Sequence, residues 1–382
     1  MSPANLYYFD NNATTPVAPE VVEAMLPFLT EKWANASSPY RIGREVAKHI
    51  ETARERVAAL INADPEEVVF TSGGTESINA AVQSALLVEP RKRHVVTTAV
   101  EHSATLRFCE SLEKRGYEVT VLPVGTDGLL DASLLEQAIR PDTAIVSIMW
   151  ANNETGVVFP VKEIADICRQ KAVPFHTDAV QTPGKIALDV QTVGVDLLSL
   201  SAHKLYAPKG VGALYIRRGT KYWPYVIGGQ QEDGRRGGTE SVANIIGFGV
   251  AASLAHSKVD DVTRRVGAMR DRLENTILNT IPNTRRNGAE APRLPNTSNI
   301  SFGSIEAEGM IVMLDNIGVC VSSGSACTTG SLAPSHVLTA MGINADRARA
   351  SLRFSLGLYT TEADVDYLVA NLPGIISRLS AP

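Results

Sequence analysis

The chain has 382 residues, of which 44% are hydrophobic and 20% charged, and this length favours two domains or one large domain with an appendage. Its formal net charge of −5 gives no electrostatic reason to expect nucleic acid as a partner. The four cysteines form no CxxC pair and no segment reads as a signal peptide or a bilayer-spanning stretch, so we expect reduced thiols in the cytoplasm rather than a disulfide framework, a structural zinc site or a membrane anchor.

Apolar, β-rich runs alternate with helical stretches along the first part of the chain. The runs lie at residues 68–71, 95–100, 119–122, 144–150, 173–178, 195–200 and 212–216. This alternation predicts an α/β fold with a large, mainly parallel sheet covered by helices. After about Ser257, a long charged helix followed by mixed strands and helices predicts a smaller α+β domain. We therefore expect a large domain, residues 15–257, and a small domain made of residues 1–14 and 258–382.

The first candidate binding feature is a glycine-containing turn between a predicted strand and a predicted helix. Gly73, Gly74 and Thr75 precede the helical pattern of residues 76–87. Glycines let an anion approach the backbone, and the free amides of a helix N-terminus attract phosphate. The spacing matches neither GxGxxG nor GxxxxGK[ST], which disfavours a dinucleotide or nucleoside triphosphate. The alternative is an ordinary turn in which Thr75 caps the helix.

Two polar residues follow the next predicted strands. His102 stands after residues 95–100, where an imidazole can lie over a planar ring or transfer protons. Asn153 stands after residues 144–150, where its amide can donate to a ring oxygen or to a substrate carboxylate. The alternatives are a structural histidine and a turn asparagine.

An aspartate and a lysine at two further strand ends predict the cofactor. Pyridoxal phosphate needs a lysine amine to hold it and a carboxylate on its pyridine nitrogen, and Asp178 and Lys204 supply both. Gln181 lies one helical turn after the aspartate, and Ser201 and His203 precede the lysine, where they can bind a phosphate. Taken singly, the aspartate can be a helix N-cap and the lysine a solvated loop residue. These residues and the earlier ones should share one rim, because ligands bind at the carboxyl ends of strands in such sheets.

The remaining candidates follow Lys204 along the chain. Residues 228–239 are rich in glycine and predict an exposed, mobile loop. Cys327 lies among serines and glycines that offer no apolar wall, so we favour a nucleophile over a buried filler. Arg353 lies in a strand otherwise suited to burial and should meet a carboxylate, either a structural aspartate or the α-carboxylate of a substrate.

Taken together, the motifs resemble those of cysteine desulfurases of the NifS/IscS type, within the class V branch of fold-type I pyridoxal-phosphate enzymes. The resemblance covers nearly the whole chain and includes residues 8–16, 72–76, 100–102, 152–156, 176–181, 201–204, 236–240, 323–327 and 352–355. The implied fold is a large domain with a mainly parallel sheet and a smaller α+β domain that carries Cys327.

The resemblance also implies a role for each candidate residue. Lys204 would carry the cofactor, Asp178 would pair with its pyridine nitrogen and Gln181 would bond its ring oxygen. The other implied roles are phosphate binding by Gly74, Thr75, Ser201 and His203, ring stacking by His102, and substrate orientation by Asn153 and Arg353. Thr239 would reach the phosphate of a neighbouring subunit, which implies a homodimer.

The implied reaction removes sulfur from L-cysteine, releases L-alanine and keeps the sulfur on Cys327 as a persulfide. Lys204 would remove the α-proton, and His102 would handle protons during sulfur transfer. The implied acceptor is an iron–sulfur scaffold protein, with Cys327 as a transient iron–sulfur ligand, and residues 329–338 look closer to the nitrogen-fixation type. The alternatives are a lyase for selenocysteine or cysteine sulfinate, a class V aminotransferase that needs no thiol, and a non-catalytic assembly protein.

Overall fold

The computed structural model describes residues 6–324 and 333–380, and the strands in these ranges form three sheets. The strands are β1 (Tyr7–Tyr8), β2 (Val68–Thr71), β3 (His94–Thr98), β4 (Glu118–Leu122), β5 (Thr143–Ser147), β6 (Phe175–Asp178), β7 (Leu197–Ser201), β8 (Gly212–Ile216), β9 (Thr284–Arg286), β10 (Thr297–Phe302), β11 (Val319–Cys320), β12 (Ser322–Ser323) and β13 (Ser351–Ser355). Each apolar run predicted as a strand overlaps one of the strands β2 to β8.

Helices cover the sheets. They are α1 (Pro19–Thr30), α2 (Arg41–Leu60), α3 (Gly74–Val88), α4 (Ser103–Glu113), α5 (Ala132–Ala138), α6 (Val161–Gln170), α7 (Val190–Val193), α8 (Val242–Asp261), α9 (Gly267–Thr280), α10 (Ala307–Asp315), α11 (His336–Ala340), α12 (Ala345–Arg349) and α13 (Glu362–Leu379). A π-helical turn, Val262–Val266, joins α8 to α9. The long helix predicted after Ser257 is present, but the helical run begins earlier, at Val242.

The large sheet has the strand order β2-β8-β7-β6-β5-β3-β4. Neighbouring strands from β7 to β4 run parallel, whereas β8 is antiparallel to both β2 and β7. The central strands are buried along their whole length, as expected for a sheet with helices on both faces. The predicted α/β fold with a large, mainly parallel sheet is therefore confirmed, and the carboxyl ends of the parallel strands meet at one edge.

In the described part of the chain, one helical run, Val242–Thr280, is long and apolar enough to cross a membrane by length and composition. Ile245 and Phe248 of this run are buried in the same apolar cluster as Val46 of α2. A Cβ added at Gly249 would lie 2.6 Å from Cα of Ala53, so α8 and α2 pack in close backbone contact. This packing is that of a core helix.

A second core lies between α9, α13 and the antiparallel sheet β12-β13-β10-β9. Phe9, from the start of the chain, is buried there with Leu273, Phe354 and Leu368. The short helix α11 instead contributes Leu338 to the core of the large sheet. The division into residues 15–257 and the rest stays a prediction.

The predicted exposed loop, residues 228–239, contains a buried carboxylate. Glu232 is 9% exposed, and both of its oxygens accept hydrogen bonds from Arg54 of α2, at 2.6 and 2.9 Å. One oxygen also accepts the backbone N–H of Phe70 on β2, at 2.8 Å. The prediction of exposure is therefore wrong for Glu232, because this carboxylate pairs with an arginine in the core.

The parallel sheet also buries a histidine whose charge state depends on folding. The ring nitrogens of His176 on β6 lie 2.8 Å from Ser147 Oγ and 2.8 Å from Ser199 Oγ. Complete burial lowers the pKa of the ring from 6.5 to about 3. His176 in the folded protein is therefore neutral at pH values well above about 3.

Acid should destabilise the protein through His176. The unfolded chain binds a proton at this ring below about pH 6.5 but the folded chain binds none until about pH 3, so the free energy of unfolding falls as the pH drops through this window. At pH 5 the loss is about 2 kcal/mol. Urea unfolding at pH 7 and pH 5 measures it, and the difference should shrink by this amount in His176→Gln. An undiminished difference in the variant would contradict the prediction.

Candidate active site

A cavity opens where the carboxyl ends of the parallel strands meet. Its lining includes ten residues predicted from the sequence, namely Gly74, Thr75, His102, Asn153, Asp178, Gln181, Ser201, His203, Lys204 and Arg353. Other lining residues, among them Asn12, Ala13 and Thr14, come from the segment that follows β1. The structure thus brings together side chains from both ends of the chain.

The N-terminus of α3 forms one end of the cavity. Gly73 is the N-cap of α3 and has no side chain, so no side-chain cap accepts the first amides of the helix, which also have no acceptor within the helix. A Cβ added at Gly74 would lie 2.8 Å from Val180 Cγ2 and 3.5 Å from Ser201 Cβ. Backbone amides and the Ser201 side chain therefore meet in a close cradle that suits an anion.

His203 lies beside this cradle in the turn that follows β7. Its Nδ1 is 3.1 Å from Thr14 Oγ1. Burial and the positive charges of Lys204 and Lys209 lower the pKa of the ring to about 4. His203 is therefore neutral at pH 7 and can offer an N–H to a phosphate without carrying a charge.

Asp178, at the end of β6, supplies the buried acid of the cavity. Its Oδ1 accepts the backbone N–H of Val180 at 2.9 Å. Burial raises the pKa of this carboxyl, whereas the charges of His102 and Lys204 and the hydrogen bond from Val180 oppose the rise. In such surroundings a further cation, such as a protonated ring nitrogen, stabilises the ionised form of the carboxyl group.

His102 has one nitrogen committed to the fold. It is the N-cap of α4, and its Nδ1 accepts the backbone N–H of Ala104 at 3.1 Å. In the neutral ring the proton is therefore on Nε2. Burial lowers the pKa of His102, Asp178 raises it, and Lys204 and His336 lower it. His102 can thus present only its Nε2–H to the cavity.

Lys204 lies in the short turn Ala202–Lys204 after β7 and points to the segment that follows β1. Its Nζ donates to the backbone carbonyl oxygens of Asn12 and, at 2.6 Å, Ala13. The side chain of Asn12 is itself fixed, since its Nδ2 donates to Thr297 Oγ1 at 2.8 Å and to the Asn153 carbonyl at 3.1 Å. The amine is therefore held at a defined place on the cavity wall.

A second buried lysine, which the sequence analysis missed, lies behind Gln181. Lys185 Nζ donates to Gln181 Oε1 at 2.8 Å and to Asn12 Oδ1 at 3.4 Å. Burial and the charges of Lys204 and Arg353 hold the pKa of Lys185 well below its usual value. Because the lysine takes the amide oxygen, the NH₂ group of Gln181 is the part directed to acceptors, and it donates to the Asn12 carbonyl at 3.0 Å.

Arg353 meets a carboxylate, as its burial in β13 predicted. Its Nη2 donates to Asp10 Oδ1 at 2.7 Å, and its Nη1 donates to the Asn153 carbonyl at 3.1 Å. The Nε atom is buried and has no hydrogen-bond partner among the described residues. The guanidinium thus lines the cavity with unused donor capacity, which suits a further carboxylate.

Two predicted site residues are not placed in the cavity. Thr239 is exposed and does not line it in the single chain, so its role toward a neighbouring subunit stays a prediction. Cys327 falls in residues 325–332, outside the described residues. Among the described residues there is no cluster of three or more histidines, cysteines or acids that could hold a metal ion. The proposed role of Cys327 as an iron–sulfur ligand also stays a prediction.

Comparison with known proteins identifies the family to which this chain is similar. The family model "Aminotransferase class-V" matches residues 7–368. "Cysteine desulfurase" of Trichormus azollae is 51% identical over 377 residues, covering 99% of this chain and 94% of the relative. "Cysteine desulfurase IscS" of Dictyoglomus turgidum is 48% identical over 373 residues, covering 97% of this chain and 95% of the relative.

The fold agrees with the same grouping. A solved structure described as a "NIFS-like protein" superimposes with a TM-score of 0.92 at 37% identity, covering 98% of this chain and all of that one. The family match spans the large sheet, the small antiparallel sheet and the start of α13, and the two relatives extend over nearly the whole chain. The chain belongs to the class-V aminotransferase family and groups there with the cysteine desulfurases of the NifS and IscS type.

Proposed function

We propose that the protein is a cysteine desulfurase that uses pyridoxal phosphate and transfers the sulfur of L-cysteine to Cys327. The observation that carries the proposal is one cavity lined by Lys204, Asp178, His102 and Arg353 beside an uncapped helix N-terminus. Lysine, buried acid and anion cradle are the three groups that this cofactor needs. The names of the relatives, at about half identity over nearly the full chain, agree with this reaction.

The residues of the cavity fit the cofactor. The first amides of α3 have no side-chain cap and can bind a phosphate, with Thr75, Ser201 and His203 as further donors. Asp178 would hold the protonated ring nitrogen, and the NH₂ group of Gln181 would face the ring oxygen. Bound there, pyridoxal phosphate supplies a ring that takes up the electron pair left when the substrate loses its α-proton.

The proton steps belong to Lys204 and His102. Lys204 would hold the cofactor, and its Nζ, when free, would be the base that removes the α-proton of the substrate. Arg353, whose side chain lines the cavity, would bind the α-carboxylate, and Asn153 would orient it from the adjacent turn. His102 presents its Nε2–H to the cavity, because its Nδ1 stays bonded to α4, and it is our candidate for the group that handles protons during sulfur transfer.

The sulfur step needs a thiolate. Cys327 Sγ attacks the sulfur of the substrate, an S–S bond forms and the C–S bond breaks, with its electron pair passing to the carbon that becomes the methyl group of alanine. That carbon takes a proton, and Cys327 is left as a persulfide. No external oxidant is required, because the sulfur loses two electrons in forming the S–S bond and the carbon that becomes the methyl group gains the electron pair of the broken C–S bond.

Further parts of the proposal concern partners. The persulfide would be passed to an iron–sulfur assembly scaffold in the cytoplasm, either of the nitrogen-fixation or of the housekeeping type, with Cys327 as a transient ligand of the iron. Thr239, exposed in the single chain, would complete the phosphate site of a second copy in a homodimer. These assignments follow from the family resemblance and from the names of the relatives.

The test compares wild type with Cys327→Ala for alanine and sulfide released from L-cysteine in the presence of a reductant. We expect wild type to form both products and the variant to bind the cofactor, seen by its yellow colour, but to form neither. The control is Cys320→Ala, which removes a half-buried thiol of β11 and should retain activity. If Cys327→Ala matches wild type, Cys327 is not the sulfur carrier and the lyase or aminotransferase alternative replaces the proposal.

A further inference from the structure

Glu154 is a buried acid with no role in the steps above. It lies in the turn after β5, next to Asn153 of the cavity. Its backbone is fixed, because Asn152 Oδ1 accepts the N–H groups of Glu154 and Thr155 at 2.9 and 3.0 Å. Asn152 Nδ2 in turn donates to the carbonyl of Val100 at 3.0 Å. The turn is therefore attached to the large sheet and gives the Glu154 side chain a rigid base.

The carboxylate of Glu154 contacts two residues that are far apart from it in sequence. Ser335 Oγ donates to Glu154 Oε2 at 2.5 Å and accepts the backbone N–H of Leu338 at 3.1 Å as the N-cap of α11. On its other side the same oxygen lies against Gly324, where an added Cβ would be only 2.2 Å away. That Cβ would also lie 2.8 Å from the Cβ of Ser335. Gly324, Glu154 and Ser335 therefore meet at one point.

A second contact holds the same stretch of chain to the cavity. His336 Nε2 donates to the backbone carbonyl of Glu101 at 2.9 Å, and the next residue along is His102. Glu154 is completely buried, and this burial raises the pKa of its carboxyl to about 7, although the hydrogen bond from Ser335 and the charge of Arg353 act in the opposite direction. In such dry surroundings a hydrogen bond is strong and its loss is costly.

Gly324 directly precedes residues 325–332, which contain Cys327, and Ser335 follows them by three residues. Glu154 thus contacts the chain on both sides of Cys327, at Gly324 and at Ser335. We propose that Glu154 is a positioning residue for sulfur acceptance: by joining Gly324 to Ser335 beside the cavity, it sets the attachment points from which Cys327 reaches the substrate. The inference rests on the proposed function, since it concerns the step in which Cys327 takes the sulfur.

A purely structural role for Glu154 predicts a different pattern of effects. A misplacement of about 1 Å at a reacting group can cost on the order of 100-fold in rate, whereas lost stability alone leaves the rate of the folded enzyme unchanged. Substrate binding by Arg353 and Lys204 precedes sulfur transfer and does not need Cys327. Loss of Glu154 should therefore slow the sulfur step and spare the earlier steps.

The experiment measures two signals in the holoenzyme after L-cysteine is added. The first is the change in the absorption spectrum of the bound cofactor, and the second is the rate of persulfide formation on Cys327, followed by mass spectrometry in a single turnover. We expect Glu154→Ala to slow persulfide formation on the order of 100-fold and to keep the spectral change. Glu154→Gln retains an acceptor oxygen for Ser335 and should stay close to wild type.

Ser298→Ala is the matched control, because Ser298 Oγ donates to another buried acid, Glu274, at 2.7 Å and lies outside the cavity. The inference is overturned if Glu154→Ala forms persulfide as fast as wild type, or if Ser298→Ala slows it equally. Should Glu154→Ala not fold, Ser335→Ala decides in the same way. If wild type itself forms no persulfide on Cys327, the proposed function fails together with the inference. If wild type forms the persulfide and Glu154→Ala forms it equally fast, only the inference fails.

Discussion

Replacing Lys204 with alanine should lower the turnover of L-cysteine by a factor on the order of 10⁴. The Nζ atom is held at the cavity wall by the carbonyls of Asn12 and Ala13, whereas Lys209, which also lines the cavity, is exposed. Lys185, the other buried lysine nearby, does not line the cavity, and its Nζ is bonded to Gln181 and Asn12. Alanine released from L-cysteine, measured at saturating substrate, gives the size of the effect.

A second measurement tests Lys204 without relying on activity. Chemical reduction of the holoenzyme should fix the cofactor to one lysine, and peptide mass analysis should find it on Lys204 in wild type and on no peptide of the variant. Lys209→Ala is the control, because it removes an exposed lysine five residues along the chain. Cofactor found on Lys185, or full turnover by Lys204→Ala, would refute the assignment.

The sequence predicted the cavity best where strand geometry alone brings residues together. Asp178 and Lys204 were predicted to share a rim because each follows a strand of one parallel sheet, and the carboxyl ends of such strands meet at the same edge. Both line the cavity. The anion cradle at Gly74 was predicted in the same way, from glycines between a strand and a helix.

Contacts between distant segments could not be predicted from pattern. Asn12 lies 192 residues before Lys204 and comes from a segment with little regular structure, so no periodicity relates the two. Arg353 was expected to meet a carboxylate, but the chain has 41 acidic residues and only the fold selects Asp10. Lys185 resembles a solvated lysine in sequence, and its position four residues after Gln181 was the one signal that could have pointed to it.

The other large effect concerns stability, and it arises from the loop at residues 228–239. Glu232 has φ of 50°, a left-handed conformation that non-glycine residues rarely adopt, so tertiary contacts hold it there. The guanidinium of Arg54 is packed over the ring of Phe70, 4.8 Å from its centroid, and both are buried. A buried guanidinium that loses its carboxylate pays the full cost of desolvation.

Glu232→Ala should therefore lower the free energy of unfolding by about 3 kcal/mol. The substitution leaves Arg54 with only the partly exposed Glu51 as an acidic partner. It also removes the acceptor of the Phe70 N–H. Urea unfolding measures the loss. Asp233→Ala is the matched control, since Asp233 also has positive φ, 54°, but its side chain is exposed, so we expect a change of about 0.5 kcal/mol or less. Equal losses in the two variants would mean that the backbone conformation, and not the buried ion pair, sets the stability of this loop.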